Sequence, residues 1–239
     1  MRGRLLRLGE NSVAGKMLLI VFHPLDCMDI IKREKKQARL WVVPVLYLLA
    51  FLVNYAYIFL VHFPLESKNP ADASLLLEAA MVIVPLFSWV VGSYLMTAIT
   101  SGESTFLESL VASAYALVPY IVLTPLMALS SNLLGSGEAG VYRALRVIVL
   151  LWVLLLLLLA LQRLNDYSLK KTVGVAVLSA AAVIVLWAVC LLLFGTDGFL
   201  PPALLLTVAV LVAGRRTIER KIGPPAEEPA GDASDGKEA

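Results

Sequence analysis

The side chains of this sequence whose types could do chemistry are few, and they are scattered. His23 and His62 could act as general bases, but each stands at the boundary of an apolar run, where an interfacial role is expected. Cys27 and Cys190 are far apart and have no Cys or His companions, so they form neither a redox CxxC pair nor the ligand cluster of a zinc site. HExxH, GxSxG and GxxxxGK[ST] patterns are absent, and no pair of carboxylates occurs at the middle of an apolar run. No catalytic residue, metal or cofactor is therefore expected, and the chain reads as a non-enzyme. The middles of the apolar runs carry no Asp, Glu, Lys or Arg, which argues against a proton- or sodium-coupled pump. What remains is polar and structural. Asn54 lies inside an apolar run and must find a hydrogen-bonding partner, so interhelical bonding is its expected role. Ser88 and Gly92 form a small-xxx-small pair that lets another helix approach closely. Pro85, Pro119 and Pro125 interrupt apolar helices, either as static kinks or as the hinges of a gate. Glu78-Ala79-Ala80 is similar to the EAA loop of bacterial ABC permeases, but the later glycine and the Leu-Pro of that motif are missing.

The elements that must position these residues are set by composition. The chain has 239 residues, of which 59% are hydrophobic and 16% charged, with mean hydropathy +0.83. Soluble domains are about 45–50% apolar and about 25% charged. The fold class expected is all-α, a polytopic helical membrane protein with five spans, a short sixth and an N-terminal interfacial helix. The spans fall at about 41–62, 75–100, 106–134, 141–164, 173–194 and 199–214. Each of the first five is long enough for about 30 Å of hydrocarbon. Thr105 and Glu108 have the spacing of a capping box at the start of the third span. Pro119 is expected to kink that span while the chain stays helical on both sides. Asn69-Pro70 is a helix-start signal before the second span. Arg143 and Arg146, near the outer end of the fourth, are placed to snorkel.

Residues 1–40 carry nine Lys/Arg. MLLIVF after basic residues resembles a signal peptide, but its apolar core is short, no small-residue cleavage site follows, and Asp26 spoils a lipoprotein box at Cys27. Two readings stay open: a helix from Pro24 lying on an anionic leaflet, with Leu25, Met28 and Ile31 on one face, or a basic topogenic flank alone. Positive residues before the first span, in the loop after the fourth (Arg163, Lys170, Lys171) and at Arg215, Arg216, Arg220 and Lys221 place the N-terminus and the tail in the cytoplasm if 199–214 crosses. The alternative is a tilted or half-inserted helix there. The domains expected are a basic segment 1–40, a bundle 41–214 and a basic, then disordered tail 215–239.

Four motifs carry a family resemblance: Phe22-His23-Pro24-Leu25 with its basic follow-on; Gly102-Glu103-Ser104-Thr105-Phe106 followed by Ala114-Tyr115-Ala116-Leu117-Val118-Pro119; Leu151-Trp152; and Tyr167-Ser168-Leu169-Lys170-Lys171-Thr172. Over about residues 20–195 the chain resembles the Ypt-interacting protein (Yip) domain family, chiefly its bacterial branch. The resemblance implies a five-span core, a cytoplasmic N-terminus and an integral protein of the bacterial cytoplasmic membrane. It implies a scaffold or adaptor that binds other integral membrane proteins, with the lipid bilayer itself as a partner and no nucleic acid. The alternative is an accessory or permease-like component of a transport system for an uncharged or lipidic solute. Eukaryotic members bind Rab-type GTPases, but their "DLYGP"-type acidic motif is absent here, which argues against GTPase binding. The candidate structural or partner-contact residues are Asn54, Pro85, Ser88, Gly92, Tyr115, Pro119, Pro125, Trp152 and Tyr167.

Overall fold

The computed structural model describes residues 12–34, 40–61, 74–194 and 209. The Asn69-Pro70 signal, His62, the 199–214 segment and the tail lie outside the described residues, as does the side chain of Cys190. The described chain is helical: α1 (Val13–Phe22), α2 (Pro24–Arg33), α3 (Val42–Leu60), α4 (Leu75–Ile99), α5 (Phe106–Ala116), α6 (Val118–Ser130), α7 (Ala139–Leu164) and α8 (Leu169–Phe194), with two short 3-10 turns between α6 and α7. No strand occurs among the described residues. Five helical stretches are long and apolar enough to cross a membrane, α5 and α6 together making one of them.

Local chemistry explains the boundaries. Ser12 caps α1 by accepting the Gly15 N–H at 3.0 Å. Pro24 opens α2, where the missing N–H is harmless, and Lys32 and Arg33 close it, complementing the helix dipole. The Thr105–Glu108 capping box forms in both directions at the start of α5. Pro119 has no N–H to offer the Tyr115 carbonyl, so the third span is interrupted. The interruption is a single residue, Leu117, which keeps right-handed backbone angles (φ −77°, ψ −13°). Helix continues on either side, as Pro119 leads one to expect. Pro85 and Pro125 sit inside α4 and α6, which stay helical through them.

In the bundle, α3 packs on α4, α5 and α6, α7 packs on α5 and α6, and α8 lies against α4 and α7. Small residues Ala112, Ala114 and Ala116, all fully buried, allow the close approach at the centre. The outer faces of the spans are apolar and exposed, for example Leu48, Leu126, Leu151 and Val177. In a bilayer those faces meet acyl chains, which accounts for the high hydropathy.

The two N-terminal helices form a hairpin packed against this bundle. In α2, Cys27, Met28, Ile30 and Ile31 are buried, and the helix packs on α5 and α7. In α1, Leu19 and Ile20 are fully buried against the same core. A part-buried ion pair between Lys16 and Glu34 closes the open end of the hairpin. Sequence periodicity shows α2 but not α1, whose ten residues are too few to span and too uniformly apolar to show a face.

Candidate functional site

Polar groups gather at the two ends of the bundle. The near end holds the connections after α4 and α7. Each of these helices stops in the same way. Ser101 (φ 57°) and Asp166 (φ 50°) take left-handed backbone, and the next residue bonds back five positions, Gly102 N–H to Thr97 O at 2.7 Å and Tyr167 N–H to Gln162 O at 3.1 Å. These are Schellman stops built without glycine at the left-handed position. The two stops interlock. The Ser104 N–H donates to Asn165 Oδ1 at 3.1 Å, Asn165 Nδ2 donates to Leu161 O, and the Tyr167 hydroxyl meets Thr100 Oγ1 at 2.9 Å. Gly102 lies between them. A Cβ there would stand 2.6 Å from the Tyr167 hydroxyl and 2.8 Å from Thr97 Cβ, with Asn165 Oδ1 closer still. Lys32 of the hairpin pairs with Asp166 and lies 3.7 Å from Glu103. The Lys171 ammonium sits 4.0 Å over the Tyr167 ring. The side chains of Glu103 and Asp166 remain about two-thirds exposed, at 64% and 67%.

The far end, towards the α6–α7 connection, has a different character. Asn54 Nδ2 donates to Glu78 Oε2 at 3.2 Å, and the Tyr120 hydroxyl donates to Asn54 Oδ1 at 2.9 Å. One side chain thus links α3, α4 and α6, the interhelical role expected of Asn54. Glu78 is 2% exposed. These three residues and Arg146 line a cavity of about 370 Å³, which continues between Pro85, Leu86, Leu117 and Val153. The Arg146 guanidinium stands 4.8 Å over the Tyr57 ring, turned onto the bundle and not only towards the membrane surface.

The other candidates are placed as follows. Ser88 and Gly92 face α8: Ser88 accepts from Trp187 Nε1 at 3.2 Å, and a Cβ on Gly92 would meet Val183 Cγ2 at 2.9 Å. Tyr115 is buried in the core that holds the hairpin. Pro125 lines a smaller cavity of about 230 Å³ with Leu52 and Tyr57. Trp152 is 40% exposed on the outer face of α7. Burial pushes the Cys27 thiol up to about 12, against the opposing pull of Lys16, so it is no nucleophile. Among the described residues, no three His, Cys, Asp or Glu side chains gather into a metal site.

Sequence reasoning missed Glu78, Tyr120 and Asn165. Glu78 stands three residues into α4 beside two alanines, and nothing local distinguishes a boundary carboxylate from a buried one. An asparagine that needs a partner was the available signal, but it does not say which helix supplies that partner.

A family model described as the Yip1 domain matches residues 18–192 of the chain. Comparisons with curated proteins and with solved structures returned no match.

Proposed function

Because the chain belongs to the Yip1 domain family, we propose that it is a non-enzymatic membrane scaffold or adaptor that binds other integral membrane proteins. The observation that supports this reading best is the interlocked near end. Two helix stops, a buried asparagine and a buried tyrosine hold the loops in one shape, and that shape presents the Glu103 and Asp166 carboxylates to water. A surface ordered before it meets a partner loses little entropy on binding.

Several finer points belong to the same proposal. The absent "DLYGP"-type motif supports the bacterial branch, and specific retention of a Rab-type GTPase would count against that placement. The near end is cytoplasmic, since Lys32, Arg33, Arg163, Lys170 and Lys171 cluster there, and the membrane is the bacterial cytoplasmic one. The segment 1–40 flanks a bundle 41–214, whose last crossing, 199–214, returns the tail 215–239 to the cytoplasm. With Cys27→Ser, Cys190→Ala and Ser234→Cys, an impermeant maleimide should label intact cells only after lysis; labelling before lysis refutes this topology.

The adaptor reading is tested by affinity capture in mild detergent. The wild-type chain should retain a defined integral membrane protein, and the charge-removing Glu103→Gln/Asp166→Asn pair, which keeps a residue suited to left-handed backbone at 166 and adds no like charge beside Lys32, should release it with folding intact. Solute uptake lost in a deletion strain, with no stable partner recovered, would favour the second reading. That reading is an accessory or permease-like part of a transport system for an uncharged or lipidic solute. The far-end cavity is the observation in its favour.

A further inference from the structure

We propose that the N-terminal hairpin is a re-entrant membrane element. It enters the bilayer from the near end and turns back inside it, with Leu18, Phe22 and Leu25 against the acyl chains of that leaflet. This goes beyond the adaptor reading and does not depend on it.

Ion pairs set the level of the hairpin's open end. Lys32 pairs with Asp166 and lies 3.7 Å from Glu103, where the third span starts and the fourth stops. Lys16 and Glu34 pair with each other at the same end. From Lys32 back to Pro24 is eight residues of helix, a rise of about 12 Å. The partners of α1 fix the direction of that rise. Helix α1 packs on α6 as well as on α5, and α6 begins only at Val118. Val118 is thirteen residues beyond Thr105, about 20 Å along the third span. A hairpin lying below the near end, or flat on the leaflet, would not reach α6. The turn at His23 therefore points into the bilayer, towards the middle of a hydrocarbon core about 30 Å thick. A flat α2 would also offer Met28 and Ile31 to lipid beside Leu25, whereas both are buried in the bundle core.

The turn suits a medium without water, where an unpaired backbone group has nothing to bond. His23 alone separates the two helices. Its N–H donates to Leu19 O at 2.7 Å, and its carbonyl accepts the Cys27 N–H at 3.2 Å. Pro24 has no N–H to leave unpaired. The side chains sort in the same way. Leu18 and Phe22, four residues apart, share the outer face of α1, and Leu25 follows across the turn. They are 51%, 66% and 38% exposed, continuing the apolar outer faces of the spans. Lys16, Lys32 and Arg33 stand towards the open end. Asp26 and Asp29, which resist burial in lipid, are half-buried. Asp26 lies in the first turn of α2, where the helix dipole favours a carboxylate, and it is already engaged. Asp29 is one turn from Lys32 on the same face.

The test is depth-dependent fluorescence quenching of the full chain in phospholipid vesicles. In a Cys27→Ser/Cys190→Ala background, Leu18→Cys, Phe22→Cys, Leu126→Cys and Lys170→Cys each carry a nitrobenzoxadiazole label. Leu126, exposed on the third span, marks lipid, and Lys170, exposed at the near end, marks water. Iodide should quench the Lys170 label and lose its effect at Phe22, as it does at Leu126. A mid-chain lipid nitroxide should quench the Phe22 label more strongly than a headgroup nitroxide does. The Leu18 label, one turn nearer the open end, should shift towards the headgroup nitroxide. Iodide quenching at Phe22 as strong as at Lys170 would place the hairpin in water and overturn the proposal. Equal depth for the Leu18 and Phe22 labels would lay the hairpin flat and overturn it as well. Leu25→Cys, beside the turn, takes the place of Phe22→Cys with the same outcomes if the latter does not fold.

Discussion

The near and far ends of this bundle use similar residues to opposite effect. At the near end Asn165 and Tyr167 spend their hydrogen bonds on loop backbone and on Thr100, leaving Gly102 no room for a methyl group. At the far end Asn54 and Tyr120 bond each other and Glu78 across three helices, and a cavity remains beside them. Polar side chains that close on a helix terminus fix a shape. Those that bridge separate helices hold the helices at a distance and leave space between. Deep packing is dense in proteins as a rule, and the gap beside these polar groups departs from it.

This contrast can be broken most sharply at Gly102. Gly102→Val forces a branched side chain against Asn165, Tyr167 and Thr97. Overpacking of this kind costs about 1–3 kcal/mol, and the Ser104–Asn165 bond is lost with it. A large fall in the thermal midpoint in detergent is expected. A variant as stable as the parent would show that the near end is not locked. The far end should respond more mildly. Asn54→Leu removes two interhelical bonds and should destabilise by about 0.6–2 kcal/mol. If stability instead rises while partner binding is lost, Asn54 serves recognition and the bridging role is wrong.

The smallest effect sharpens the comparison from the hairpin side. Burial raises the Cys27 thiol from an ordinary value of 9.0 to about 12. The folded state therefore holds this proton more tightly than the unfolded one. The stability this contributes is complete below pH 9 and is lost as the pH climbs towards 12. In a Cys190→Ala background, alkylation at pH 8 should run at least about a hundredfold slower in the folded protein than in denatured chain. Alkylation at the denatured rate would show that α2 leaves the bundle readily and does not brace Asp166 through Lys32.

The sequence made some of this legible and hid the rest for physical reasons. Spans, capping box and the interruption before Pro119 follow from apolar run length and local backbone chemistry, which a linear reading contains. That Asn54 needs a partner also follows from one residue and its surroundings. Glu78, Tyr120 and Asn165 take their meaning from groups 24 to 66 residues away, side chains for the first two and the Ser104 backbone N–H for the third, and no periodicity encodes such pairings. Gly102 and Tyr167 stand in two separate motifs, and only the fold shows that they are halves of one contact. Helix α1 was hidden because an evenly apolar stretch of ten residues has no face to reveal.

The hairpin has to wait for its seat during synthesis. Its buried face rests on α5 and α7, yet α1 and α2 are made before either of them. At about 5–20 residues per second, α2 waits several seconds before α7 exists to cover Met28 and Ile31. The hairpin can thus take its seat only once α7 has been made, and Lys32 then ties it to Asp166 at the end of the fourth span.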